Sequence, residues 1–290
     1  GIYGVTATDA NGCMESTVVT ITTVVPNVGI TVTSADLPSV GTTVYLINDT
    51  ASSLTVGGSD TAQSWDLSAI VLHTIDTMAF IDATTTPNTA DFPGSNLAVT
   101  GTMQTTYFTN NASAVTVDGL YGDPMGFGTN LSIVFDPSEK LLEFPSIYGN
   151  SFNDTSKFVF KMDGTSFGLS VNDSLQIRHS AVTQSNIDAE GSVTTPEGVF
   201  ASIRQHKVQE TRDSVFVKTT DSNVILYLSS LCSCFWPSGV WKLAPVIPGT
   251  LDANPTIDNT YKYTWYANGM DYPVAELETD AANNVLKAQY

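Results

Sequence analysis

Apolar and polar residues alternate with a period of two along most of the chain, and almost nowhere is the 3.6-residue period of a surface helix sustained. Strand-like runs occur at residues 29–33, 42–47, 96–103, 131–135, 157–161, 174–178, 214–218 and 224–228. Each run is about five residues long, rich in β-branched or aromatic side chains, and bounded by Gly, Pro, Asn or Asp. Many short strands with frequent turn signals predict an all-β fold, an antiparallel β-sandwich of jelly-roll or Ig-like kind. Two segments compete as helices. Residues 34–38 have room for one turn, and residues 196–204 read equally as a strand entered from a Pro196-Glu197-Gly198 turn.

A length of 290 residues with 42% hydrophobic content supports a sizeable core and about two domains. Val25-Pro26-Asn27 breaks the alternation and separates an opening hairpin, residues 1–25, from the body. An Asp163-Gly164 turn then divides the body into 26–162 and a second β-rich half, 163–290, although one sandwich over 27–290 fits the pattern nearly as well. Charged residues make up 14%, against about 25% in an average soluble chain. With Lys+Arg 11 and Asp+Glu 29 the net charge is -18, which repels a phosphate backbone and argues against nucleic acid and anionic membrane as partners. No run approaches the roughly 20 apolar residues of a membrane span. No export signal and no starting Met open the sequence, so it reads as a mature or excised segment.

Gly1-Ile-Tyr-Gly-Val-Thr-Ala-Thr-Asp-Ala-Asn-Gly-Cys13 and the residues to Thr22 alternate about an Asp9-Ala10-Asn11-Gly12 turn, as the closing hairpin of a small sandwich module would. A lone two-stranded hairpin is marginal in water, so its edges are expected to seek another sheet in the body, a neighbouring module or another copy. Strand addition of that kind builds a fibre or stalk. Asp9, Asn11 and Asp163 put oxygens on tight turns that a hard cation accepts, so structural calcium is the one cofactor the sequence suggests, without EF-hand spacing.

Three cysteines, Cys13, Cys232 and Cys234, allow one internal bridge at most. Cys13 can pair outside the segment; Cys232 and Cys234 can pair with each other, near the upper limit of reach if both lie on a strand. Without clustered histidines they make no zinc site.

Tyr261, Tyr263 and Trp265 share one strand face, with Tyr266 opposite, and together with Tyr272 they are the strongest candidates for stacking on sugar rings, though part of the set is expected in the core. Trp236 and Trp241 read mainly as packing around a turn. His73, His179 and His206 sit in no nucleophile or zinc-helix motif. Glu197, Glu210, Asp188 and Glu190 could supply a glycosidase pair, but acids abound in this chain. The expectation is a non-catalytic protein.

The opening segment resembles the end of the PKD-like, gliding-adhesin type repeats of large Bacteroidetes surface proteins, whose strand and turn end in Asn-Gly-Cys. The body, through residues 30–41, Trp65-Asp-Leu-Ser68, Phe92-Pro93, Phe144-Pro145 with Tyr148-Gly149, 263–266 and Tyr272-Pro-Val274, resembles an uncharacterised β-rich domain of secreted proteins in the same bacteria, often followed by a type IX secretion sorting domain. No sorting domain is visible in this sequence. The resemblance implies export, an extracellular or cell-surface location, a structural or adhesive role, and neighbouring modules, copies of itself or glycans as partners. It also implies O-glycosylation at Asp-Ser/Thr sites, here Thr50, Thr61, Thr77, Ser174 and Ser214.

Overall fold

The computed structural model describes residues 2–8, 12, 14–20, 29–50, 53–123, 126, 128–167, 173–247 and 251–290. Strands β1 (Ile2–Thr8) and β2 (Met14–Thr20) pair antiparallel, from Ile2 opposite Thr20 to Thr8 opposite Met14, and among the described residues no other strand joins them. The remaining strands are β3 (Thr43–Asp49), β4 (Asp60–Asp66), β5 (Thr74–Asp82), β6 (Leu97–Thr100), β7 (Gln104–Asn110), β8 (Ala114–Gly122), β9 (Leu131–Glu143), β10 (Ser151–Asp163), β11 (Ser174–Thr195), β12 (Gly198–Lys218), β13 (Lys242–Leu243), β14 (Thr256–Tyr266), β15 (Ala275–Thr279) and β16 (Val285–Gln289).

Strands dominate, as the alternation predicts, and these form one continuous hydrogen-bonded path. Its order is β10-β11-β12-β14-β15-β16-β3-β5-β6-β7-β8-β9, with β13 on β12 and β4 on β11. Only β4 on β11 is parallel among the described pairings. The sheet curls until its ends meet: the Lys140 N–H on β9 donates to Asp154 Oδ2 on β10 at 2.9 Å, and Phe135 stacks on Phe158 with centroids 5.1 Å apart. Strands from either side of residue 163 pair with one another, β3 with β16 and β4 with β11.

The long strands exceed the five-residue runs marked by hydropathy, β11 reaching 22 residues and β12 21. The inward positions between those runs are polar, so hydropathy does not register them. Gln205 Nε2 donates to Ser185 Oγ and to the Leu141 carbonyl, each at 2.8 Å, and Gln209 Nε2 donates to Thr183 Oγ1 at 2.9 Å. Thr183, Ser185 and Gln205 are buried, and these bonds satisfy groups that would otherwise be costly there.

Residues 224–228 are not a strand but lie in the helix α1 (Ser222–Cys232). Their apolar run is continuous, a pattern that fits a buried helix as well as a strand. The local decision comes from Asp221, whose carboxylate accepts from the N–H groups of Asn223 and Val224 and caps the first turn. Leu228 then packs with Val217, Trp236 and Ala244. Residues 196–204 enter β12 from a turn, and Ser34–Asp36 forms a single 3-10 turn.

Asp36 ties that turn to the far end of the chain, accepting from the Thr33 N–H at 2.9 Å, Thr33 Oγ1 at 3.0 Å and the Gly269 N–H at 2.8 Å. Partial burial works against its charge, yet these bonds and one from Asn268 outweigh it and hold the carboxyl below the usual 3.8. Asp60, Asp66, Asp82 and Asp280 are lowered by bonds led by Thr61, Ser68, Thr84 and Asn284. A pKa depressed by folding adds stability that is complete above the unfolded value and is lost as pH falls through the folded one. The melting temperature should therefore stay level down to about pH 5 and drop below about pH 4. A level profile to pH 2, followed by circular dichroism, would contradict this.

Candidate functional site

Strand β14 carries its aromatic residues into two packed layers. Trp265 is fully buried and meets Trp65 edge-on at 5.7 Å, while Tyr263 is buried and stacks on His206 at 4.4 Å. Both belong to a core completed by Leu67, Val193 and Leu277. Tyr261 is half-buried. Tyr266, on the other face, is buried with Ile203, Val115 and Leu142, residues of β12, β8 and β9. Of the expected sugar platform, Tyr263 and Trp265 are thus part of the protein's own interior, and Tyr261 stands half-buried before them. Both faces of residues 263–266 are covered, so alternation there sorts the rings between two cores rather than between core and water.

At the centre of the first core lies Arg204, 1% exposed. Its guanidinium binds Asp188 bidentately, Nε to Oδ1 at 2.9 Å and Nη2 to Oδ2 at 2.8 Å, and Nη1 donates to the Val56 carbonyl at 2.6 Å. The rings of Tyr263, Trp65 and Trp265 stand 4.8, 5.3 and 5.7 Å from it. A register shift in β11 between Ile187 and Ala189 leaves Asp188 opposite no partner, and its carboxylate turns to the arginine. Asp188 is therefore engaged as a counter-ion and is not available as a glycosidase acid.

A cavity of about 210 Å³ separates the wall of β12, β14 and β15 from that of β5 to β9. Phe80, Phe108 and Leu141 face Gln205, Lys262 and Tyr272 across it. Lys262 Nζ donates to Glu276 Oε1 at 2.8 Å; burial opposes its charge, but Glu276 prevails and its pKa is raised. Lys207 pairs with Glu139 at 3.6 Å. Burial pushes the phenols of Tyr266 and Tyr272 far above their ordinary range, so both remain protonated donors. The cavity is thus an apolar space with neutralised charges at its rim.

Among the described residues the histidines form no relay with a nucleophile. The Thr50 N–H donates to His73 Nδ1 at 3.0 Å, and Asp49 Oδ1 and Thr50 Oγ1 lie 3.3 and 3.4 Å from the same nitrogen. A relay needs its acid and nucleophile on opposite ring nitrogens. His179 Nδ1 meets Asp213 at 2.8 Å while its ring stacks on Phe158. His206 has its pKa lowered by burial, which outweighs the pull of Asp188.

Of the glycosylation candidates, Thr50, Thr61 and Thr77 are exposed, whereas Ser174 and Ser214 are half-buried in β11 and β12, and Asp173 before Ser174 is fully buried. Asp9, Asn11 and Cys13 lie outside the described residues. Asp163 is exposed at the end of β10, opposite Ser174, and among the described residues no three His, Cys, Asp or Glu side chains converge as a metal site would require.

Cys232 and Cys234 are joined, with Cα atoms 5.1 Å apart, and neither lies on a strand. Cys232 ends α1, Ser233 turns left-handed at φ 49° and ψ 37°, and Cys234 folds back beside the last turn. Lys242 Nζ sits 2.9 Å from Cys234 Sγ, donates to the Phe235 carbonyl at 2.8 Å and stands 5.1 Å from the Trp236 ring centre. Closing a loop this short adds only about 1.6 kcal/mol of chain-entropy stabilisation, against about 3 kcal/mol for a loop of about 15 residues. The bond is therefore a weak staple. The two-residue spacing was legible in the sequence, but the lysine beside it was not, since β13 approaches only through its pairing with β12.

No protein-family profile matches this chain, and no curated protein does. Solved structures similar to it over most of its length include a protein of Parabacteroides distasonis ATCC 8503, provisionally classed as a lipoprotein. It is 11% identical with a TM-score of 0.28, over 88% of this chain and 95% of that one. Another is a protein of Bacteroides fragilis NCTC 9343, provisionally classed as exported and having a YmcC-like fold, 10% identical with a TM-score of 0.27, over 87% and 94%. Likeness at this level assigns neither activity nor ligand to this chain.

Proposed function

We propose that this chain is a structural, non-catalytic part of an exported surface protein, joined to neighbouring modules or further copies by strand addition at the β1–β2 hairpin. The observation that carries this is the hairpin itself, a two-stranded sheet joined by no other strand among the described residues. Two strands alone are marginal in water, and unpaired strand edges accept another chain. In this reading the body is a sandwich whose facing walls give a rigid support, and the route out of the cell is type IX secretion. A disulfide between Cys232 and Cys234 suits an oxidising exterior, where such bonds persist. The net charge of -18 favours solubility over indiscriminate association.

Sedimentation and electron microscopy of the chain at rising concentration test the hairpin role. End-to-end assemblies should form, and excess synthetic peptide covering residues 2–20 should shorten them by capping the open edges. Particles that remain single at every concentration, with the peptide without effect, would refute it.

A further inference from the structure

We propose that the Cys232–Cys234 disulfide is a thiol-exchange site, which captures a cysteine thiol of another exported polypeptide as a mixed disulfide on Cys232 and leaves Cys234 as the thiolate. This goes beyond the hairpin reading and does not depend on it.

The direction of exchange follows from the asymmetry around the two sulfurs. Cys232 ends a helix, where the partial negative charge of the last carbonyls disfavours an anion. The carbonyl oxygens of Ser229 and Cys234 stand 3.7 and 3.8 Å from its sulfur. Cys234 has instead the ammonium of Lys242 at 2.9 Å. That ammonium is fixed in place by the Phe235 carbonyl and the face of Trp236, which is buried. A cation beside a sulfur lowers the cost of its thiolate, and the better-stabilised thiolate is the better leaving group.

The exchange balances without an external oxidant. The incoming thiol loses its proton to solvent, and its thiolate attacks Cys232 Sγ along the S–S axis. The new S–S bond forms as the Cys232–Cys234 bond breaks, and the released electron pair stays on Cys234 as an ion pair with Lys242. One disulfide is consumed and one is made. Both cysteines are partly exposed, and the adjoining Phe235 is 82% exposed, an apolar contact next to the reacting pair for an incoming polypeptide.

Reduced glutathione serves as the probe thiol, used on the full chain carrying Cys13→Ser so that the third cysteine does not compete. After acid quenching, peptide mass mapping should find one glutathione on Cys232, with Cys234 open to alkylation. Lys242→Gln should slow adduct formation at least about tenfold, and Lys242→Arg should restore it. The arginine rescue separates charge from packing, since both variants lose the lysine's own contacts. Absence of an adduct, an adduct mainly on Cys234, or a folded Lys242→Gln protein that reacts at the original rate would each overturn the proposal.

Discussion

Replacing Asp188 by alanine is expected to destabilise the protein by about 3–5 kcal/mol, lowering its melting temperature by on the order of 10 °C. Arg204 would keep its charge while losing both carboxylate bonds, and at 1% exposure it has no water to take their place. The surrounding rings offset only part of that cost, because even a desolvated cation–π contact contributes on the order of 2 kcal/mol. The double variant Asp188→Leu with Arg204→Met should recover most of the stability, since an apolar pair of similar volume needs no counter-ion. Chemical denaturation of the three proteins decides the matter. A loss below about 1 kcal/mol in Asp188→Ala would show that the pair behaves as an exposed one.

The second large effect is expected from Gly191→Ala, a change that adds one methyl group. The parallel β4 passes so close to β11 here that a Cβ on residue 191 would lie 2.0 Å from the Gln63 carbonyl oxygen and 2.7 Å from two further backbone atoms of Gln63. Backbone cannot swing aside as a side chain does, so β4 must move away from β11. Trp65 and Leu67, buried at 3% and 1% exposure, would lift with it from the core around Trp265. The cost should match truncation of one large buried ring, about 3–5 kcal/mol. Tryptophan emission should shift to the red, and proteolysis should open the segment around residues 54–70. An unshifted spectrum and unchanged stability would mean that the two strands are not in this contact.

Most of the strand content was legible because hydropathy alternates wherever one face meets an apolar core. The signal fails in two physical situations. In β11 and β12 the inward positions are Thr183, Ser185, Gln205 and Gln209, polar groups that satisfy one another, so a window of hydropathy sees loop where the ladder continues. At residues 263–266 of β14 both faces are covered, and the rings of Tyr263, Trp265 and Tyr266, which resemble an open platform in sequence, are interior on either side. Arg204 meets Asp188 through the pairing of β11 with β12, 16 positions apart in sequence, and Lys242, held on β13 by its pairing with β12, reaches Cys234 from 8 positions away. Spacing alone does not announce such encounters. Asp221 before an unbroken apolar run was the one readable sign of α1, a capping residue at the place where a helix begins.

The pairing of β3 with β16 joins Asn48 to Gln289 and Asp49 to Ala288. A nascent chain emerging in order cannot seat its third strand on both sides until residues near 289 are free. The body therefore closes only after about 240 further residues have been made, and contacts this distant in sequence make its folding slow.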